Sequence, residues 1–385
     1  MGPFANFDLP RDVVMISTAD WDAPLWTNKQ QIASRLVSDF RVLYVEPLAS
    51  LADGRRGYTH RYWRDPSGVH VLRPPGTVPF GQKIPQVNEI NHRLVAPVIK
   101  ERLEQLGFKD YILWLYPPTA APYLQHLEPA LSCYDCVDEY SAMPGAWLQV
   151  TRQMERRMLE HVDAVFTTAR SLYEDKVLHN KNTHHVPNVA DFEHFHRASS
   201  ASPAPELEGL RRPVIGFVGA LNYKLDDHLL ERLFEARTEW NFVFVGPDRG
   251  FGIEHFIHYH NVHFVGKKNI DELPAYLAGM DVCIIPYKID RYTRGVLPMK
   301  LFEYLSTGKP VVATRLPELE DYAHVVELAG DAQAYVEAIE RCLHGDHEDD
   351  RRRRVEIARE NSWEKRISTI LGHLETSWRN KAKHR

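Results

Sequence analysis

The residues best able to do chemistry in this chain sit at short spacing around one segment of its second half. Arg291, Arg294 and Lys300 stand just before or within a helix opened by Pro298 and ended by Gly308, and Glu303 lies on the same helix. The free N–H groups and dipole at a helix start favour an anion, and these cations add to that preference. Three predicted strands end in Gly219, Gly246 and Gly266, where the backbone can come close to a phosphate or a base. Lys224 follows the first of them in Asn222-Tyr223-Lys224. In the first half, Asp138 follows a predicted strand end. It either contacts hydroxyls of a ligand, as a base, or serves as a helix cap or surface ion-pair partner. Asp135 is a weaker candidate of the same kind.

Other chemistries find less support. Cys133 and Cys136 have C-x-x-C spacing, but no second pair lies at a zinc-ribbon distance. Cys133 ends an apolar run and Cys283 lies inside one, so both read as buried small hydrophobes in a reducing compartment. His184, His185, His194 and His196 fall on a strand and loop, fit no helix-borne metal site, and read as surface residues. No D-x-D pair flanked by apolar residues occurs, so a divalent metal is not required. No G-x-G-x-x-G follows the first strand of either half, which argues against a dinucleotide dehydrogenase. A net charge of -5 without a basic, aromatic-interleaved stripe argues against a nucleic acid partner. Arg351 to Arg354 follow Glu348, Asp349 and Asp350 and read as a solvated helix start rather than a polyanion patch.

These candidates need a scaffold, and hydrophobic periodicity predicts one. Strands are predicted over 13–17, 41–45, 111–115, 131–134 and 164–167, with helices over 28–40 and 88–106 and an irregular stretch over 53–85. A Ser/Ala/Pro-rich segment over 198–212 reads as a linker. The pattern then restarts, with strands over 213–219, 241–246, 262–266, 282–286 and 310–313 and helices over 226–236 and 273–278. Alternation of apolar strands with helices implies parallel sheets covered on both faces, and 385 residues exceed what one core usually organises. The first twelve residues lack an apolar h-region and no stretch approaches ~20 apolar residues, so a cytoplasmic protein, at most peripheral to a membrane, is expected.

The run Leu297-Pro298-Met299-Lys300-Leu301-Phe302-Glu303-Tyr304-Leu305-Ser306-Thr307-Gly308-Lys309-Pro310-Val311-Val312-Ala313-Thr314 resembles the signature of retaining, nucleotide-sugar-dependent glycosyltransferases of the GT-B fold (glycosyltransferase family 4-like, group 1). Val245-Gly246-Pro247, Asn261 to Gly266, Asp271 to Leu277 and Asp281-Val282 follow that family's order. Trp114 to Pro118 and Tyr134 to Glu139 look like a bacterial subgroup that builds cell-surface polysaccharides. The resemblance implies two Rossmann-like, doubly wound domains facing across a cleft: an acceptor domain over 1–197, the linker over 198–212, and a donor domain over 213–360. A terminal helix over 361–385, beginning near Ser362-Trp363-Glu364-Lys365-Arg366, then returns toward the first domain.

The resemblance further implies that Glu303 grips the ribose hydroxyls of a nucleotide-sugar donor such as a UDP-sugar. A carboxylate can accept both hydrogens of a vicinal diol. Gly219, Asn222, Gly246, Lys268, Asn269, Gly295, Val296, Leu297 and Lys300 are the further donor-binding positions. Where the family has a first glutamate this chain has Gly295, and Ala220 replaces the arginine of its basic pair. Val189 stands where glycine is usual, and Trp21-Asp22-Ala23-Pro24-Leu25-Trp26 where the family has a glycine loop. Trp21 and Trp26 either stack on a sugar or lipid acceptor or pack within that loop. Lys224, with Arg294 or Lys300, is expected to balance the charge developing on the leaving diphosphate, with Asp138 on the acceptor side. The expected activity is sugar transfer to a saccharide or lipid-linked acceptor. The alternatives are a catalytically silent nucleotide-sugar-binding subunit, or an epimerase or phosphorylase-like enzyme on the same architecture.

Overall fold

The computed structural model describes residues 2–23, 26–54, 56–143 and 145–383, so Pro24 and Leu25 of the tryptophan loop lie outside the described residues. The chain divides into two compact units, residues 1–187 with 366–385, and residues 188–365. The first unit carries strands β1 (Asp12–Ile16), β2 (Arg41–Val45), β3 (Arg61–Arg64), β4 (His70–Arg73), β5 (Tyr111–Leu115), β6 (Leu131–Cys136), β7 (Ala164–Thr167) and β8 (Thr183–His185). Its helices are α1 (Asn28–Leu36), α2 (Pro85–Leu106), α3 (Tyr123–Leu127), α4 (Leu148–His161) and α5 (Arg170–Lys176). The second unit carries β9 (Val214–Val218), β10 (Asn241–Val245), β11 (Val262–Gly266), β12 (Val282–Ile285), β13 (Val311–Thr314) and β14 (Glu327–Ala329). Its helices are α6 (Phe192–His196), α7 (Pro205–Glu208), α8 (Asp227–Ala236), α9 (Leu273–Ala278), α10 (Met299–Ser306), α11 (Ala332–Gly345) and α12 (Glu348–Glu360). The last helix, α13 (Trp363–Lys383), begins in the second unit and runs on into the first.

The first sheet has the order β3-β4-β2-β1-β5-β6-β7-β8 and is parallel except for the β3–β4 hairpin. The second has the order β11-β10-β9-β12-β13-β14 and is parallel throughout. Strands β1, β5, β6, β7, β9, β12 and β13 are buried along their whole length, as strands covered on both faces must be. Helix starts are fixed by local chemistry. Asp226 accepts from Leu229 N to open α8, and Asp331 accepts from Ala334 N to open α11. Helix α10 starts after Pro298 and stops at Thr307, followed by Gly308 at φ 76°.

Three expectations are altered. The stretch read as irregular over 53–85 contains the β3–β4 hairpin, turned at Asp65, whose Oδ1 accepts from Ser67 N, and Gly68 at φ 98°. Its outer strand, Arg61-Tyr62-Trp63-Arg64, is at the sheet edge and carries charge, so it lacks the apolar run that reveals a buried strand. Within 198–212, read as a linker, Ala198, Ala204 and Leu207 join the core of the second unit. Arg354, read as part of a solvated helix start, is buried, with Asp346 at 2.6 Å and Gly308 O at 3.0 Å.

Candidate functional site

In the second unit the chain runs from β9 outward through β10 to β11, then crosses back to β12 on the other side of β9; such a reversal of strand order leaves a crevice suited to a ligand. Gly219 follows β9 and Gly246 follows β10, with φ of 155° and 153°. A Cβ at 246 would lie 1.9 Å from Gly219 O, and one at 219 would lie 2.0 Å from Lys300 Cε. Backbone approach requires glycine at 246, and positive φ favours it at 219, where a Cβ would displace the end of the lysine side chain. Their N–H groups, read from sequence as donors to a phosphate, are spent within the sheet: Gly219 N donates to Val245 O at 2.8 Å and Gly246 N to Gly266 O at 2.9 Å. What Gly219 provides is room for the lysine arm.

Lys300 stands in the first turn of α10. Its Nζ lies 3.5 Å from Glu303 Oε2 and 5.7 Å from the centre of the Phe217 ring. Burial raises the Tyr287 hydroxyl pKa, and the Glu303 charge adds to the effect, which places that carboxylate near the residue just past β12. Lys224 Nζ lies 6.0 Å from the Tyr287 ring and 5.4 Å from that of Tyr292. Its backbone N–H donates to Asn222 Oδ1 at 3.1 Å, and its carbonyl accepts from Lys288 N at 2.8 Å. Lys224 thus stands by Tyr287, while Lys300 joins Glu303 to Gly219.

The turn before α10 is fastened to itself. Asp290 Oδ1 accepts from the N–H groups of Tyr292 and Thr293, both at 2.8 Å. Gly295 N donates to Tyr292 O and Val296 N to Thr293 O, both at 3.1 Å. Leu297 O accepts from Asn188 Nδ2 at 2.8 Å, while Arg294 is exposed. Lys268 and Asn269 have other partners. Lys268 Nζ lies 2.7 Å from Glu206 Oε1, and Glu272 Oε2 accepts from Asn269 N at 2.7 Å. The Lys268 hydrogen bond holds the Glu206 carboxyl down to about 2.

In the first unit Asp138 follows β6, and its carbonyl accepts from Tyr140 N at 3.0 Å. Asp135 lies inside β6, fully buried against Arg366 Nη2 at 3.1 Å, a structural pair rather than a ligand contact. Trp21 is buried, with Nε1 donating to Asp65 Oδ2 at 2.8 Å, while Trp26 is exposed. The histidines read as surface residues carry packing and bonding roles. His184 stacks on His373 at 3.7 Å, His194 Nε2 donates to Ile270 O, and His196 Nδ1 donates to Ser306 O.

Sequence reasoning missed a cavity of about 600 Å³ at the carboxyl ends of β1, β2 and β5. Ser17, Glu46, Arg56, Asn91, His92 and Tyr123 are among its lining residues. Glu46 is fully buried and accepts from Trp21 N at 2.8 Å. Burial holds His92 down to about 4, so its ring is neutral. Arg56 Nε and Tyr123 Oη are buried and find no hydrogen-bond partner among the described residues. Only the fold joins residues this far apart in sequence. The Arg56 and Tyr123 positions carry no motif.

Residues 212–345, within the second unit, match the family described as Glycosyl transferases group 1. Over 199 residues the chain is 31% identical to the Bacillus subtilis (strain 168) protein named as a teichuronic acid biosynthesis glycosyltransferase, TuaH; the match takes in 48% of this chain and 50% of that protein. The chain thus spans about half the length of that relative. Among solved structures, the sucrose-phosphate synthase of Thermosynechococcus elongatus superposes with a TM-score of 0.70 at 16% identity, over 97% of this chain and 100% of the other. The E. coli trehalose-6-phosphate protein bound with UDP-2-fluoro glucose gives 0.69 at 12% identity, over 94% and 99%. The fold is GT-B, that of glycosyltransferases.

Proposed function

We propose that this chain transfers a sugar from a nucleotide diphosphate sugar to a saccharide or lipid-linked acceptor, in the synthesis of a bacterial cell-surface polysaccharide or glycolipid. The observation that carries this reading is the Lys300–Glu303 pair seated against Gly219, where the strand order reverses. Glu303 accepts the ribose hydroxyl hydrogens of the donor, and its spacing from Lys300 leaves the cation free to meet the diphosphate. Lys224, Lys300 and the exposed Arg294 balance the charge on the leaving group without a divalent metal. A cation aimed there is worth more in the transition state than in the ground state, so it raises the rate. The self-bonded turn at Gly295, Val296 and Leu297 shapes the crevice wall.

The cavity of the first unit suits the acceptor. Its unpartnered Arg56 Nε and Tyr123 Oη would otherwise stay desolvated, and a hydroxyl-rich ligand satisfies both. Asp138 contacts acceptor or sugar hydroxyls. Retention of configuration follows the family resemblance, and the cytoplasmic face of the plasma membrane is the place of action. UDP-2-fluoro glucose bound in a structural neighbour and the teichuronic acid biosynthesis named for the sequence relative support the donor and product classes.

Incubation with UDP- and GDP-sugars, with and without saccharide or lipid-linked acceptors, tests the reading. Acceptor-dependent release of the nucleoside diphosphate is the expected result. One second reading has an observation behind it: Gly295 leaves no carboxylate at the position where the family has its first glutamate. A silent binding subunit would bind the nucleoside diphosphate and release nothing with any acceptor.

A further inference from the structure

Half of the large apolar side chains exposed among the described residues lie on residues 78–94 or on Trp147. Val78, Phe80 and Ile84 stand on the loop ahead of α2, and Ile90 and Leu94 lie one turn apart on its outer face. Phe80 is 60% exposed, Leu94 61% and Trp147 53%. The loop is held in place: Val78 N donates to Asn91 Oδ1 at 3.0 Å, Asn91 Nδ2 donates to Val78 O at 2.9 Å, and Ile84 N donates to Phe80 O at 2.9 Å. Phe80 adopts φ 70°, a left-handed conformation that is costly for an aromatic residue, while its ring stays in solvent. Lys83 Nζ lies 5.8 Å from the Phe80 ring and 5.4 Å from the Trp147 ring.

Charge close to these apolar side chains is basic, although Glu101 and Glu104 stand exposed farther along α2. Over 78–100 the cations Lys83, Arg93 and Lys100 are all exposed, in a chain of net charge -5. The single acid there, Glu89, is engaged by Arg157 at 2.7 Å and His126 at 3.0 Å. Fixed apolar side chains flanked by exposed cations match the boundary between anionic headgroups and acyl chains. A second copy of the chain fits less well, because a two-fold pairing of this face would set its lysines and arginine against one another.

We propose that the loop 78–84 and the outer face of α2 dock the first unit on an anionic lipid bilayer, with Phe80, Ile84, Ile90, Leu94 and Trp147 at the acyl boundary and Lys83, Arg93 and Lys100 among the headgroups. The same loop lines the cavity through Val78, Phe80 and Lys83, so docking brings a lipid-borne acceptor to the cavity mouth. That consequence rests on the proposed transfer reaction; the docking does not.

Co-sedimentation of the full chain with phosphatidylglycerol vesicles, against phosphatidylcholine vesicles, is the test. Binding to the anionic vesicles should exceed that to the neutral ones, and the exposed-site double variant Phe80→Ser/Leu94→Ser should lose roughly tenfold in partitioning at unchanged melting temperature. Lys83→Glu/Arg93→Glu should abolish the preference for the anionic vesicles. Absent binding to phosphatidylglycerol, or equal binding by the variants, overturns the proposal. So does a wild-type dimer in sedimentation velocity that Leu94→Ser dissociates, which would assign the face to a second copy. A thermal-shift response to nucleoside diphosphates, retained in these variants, keeps loss of docking distinct from failure of the proposed activity.

Discussion

The side chain of Lys300 fills the space that any side chain at Gly219 would need, with Lys300 Cε only 2.0 Å from an ideal Cβ there. Gly219→Ala should therefore both strain a backbone at φ 155° and push the lysine off its seat. The expected result is a fall in kcat/KM of roughly tenfold or more, and a combined Gly219→Ala/Lys300→Ala variant little worse than Lys300→Ala alone, because contacting residues are not additive. Steady-state kinetics on the four proteins of the cycle measures this. Full additivity would separate the two residues.

Lys224 Nζ lies over the rings of Tyr287 and Tyr292. The role proposed for it at the diphosphate predicts a loss of roughly 10²-fold in kcat/KM for Lys224→Ala, mostly in kcat. A change below about twofold would take it out of the reaction.

The Asp135–Arg366 pair has both side chains fully buried, and Arg366 also donates to Val186 O and Pro187 O. Burial pushes the Asp135 carboxyl pKa up while Arg366 draws it back. Arg366→Met leaves a buried carboxylate without its partner and should destabilise the first unit by about 3–5 kcal/mol. Asp135→Asn/Arg366→Met should recover a large part of that loss. Urea unfolding followed by tryptophan fluorescence reads both, and equal stability of the single and double variants would contradict the pairing.

Burial, with the neighbouring His373, holds His184 down to about 4 against an ordinary value of 6.5. Above 6.5 both the folded and unfolded chains carry a neutral ring and the stacked arrangement keeps its full stability. As pH falls from there toward 4 the unfolded chain takes up the proton first, so stability declines across that window. His184→Gln should flatten the dependence of melting temperature on pH between about 6.5 and 4. An unchanged slope would exclude His184 as its source.

Much of the second unit was legible in the sequence because β9 and β10 are apolar runs closed by glycine, and because Pro298 and Gly308 bracket α10. The gathering of Glu303, Lys300 and Gly219 was only half legible. The helix showed which residues share a turn, but not that Gly219 makes room for a lysine rather than offering its N–H. Lys268 and Asn269 are donor-binding positions by family resemblance, which says nothing of Glu206 and Glu272 as competing partners. The β3–β4 hairpin and the cavity stayed hidden for a common reason: an edge strand carries charge, and a cavity is lined by residues from segments far apart in the chain.

The central claim is that Glu303 holds the ribose of the donor. Calorimetric titration of wild type and Glu303→Ala, with whichever of UDP, GDP or ADP most stabilises the wild type in a thermal-shift screen, tests it most directly. The account predicts that the variant binds at least roughly tenfold more weakly, having lost hydrogen bonds to a charged acceptor, while its melting temperature stays close to that of the wild type. Equal affinities, or no binding of any nucleoside diphosphate by the wild type, would contradict it.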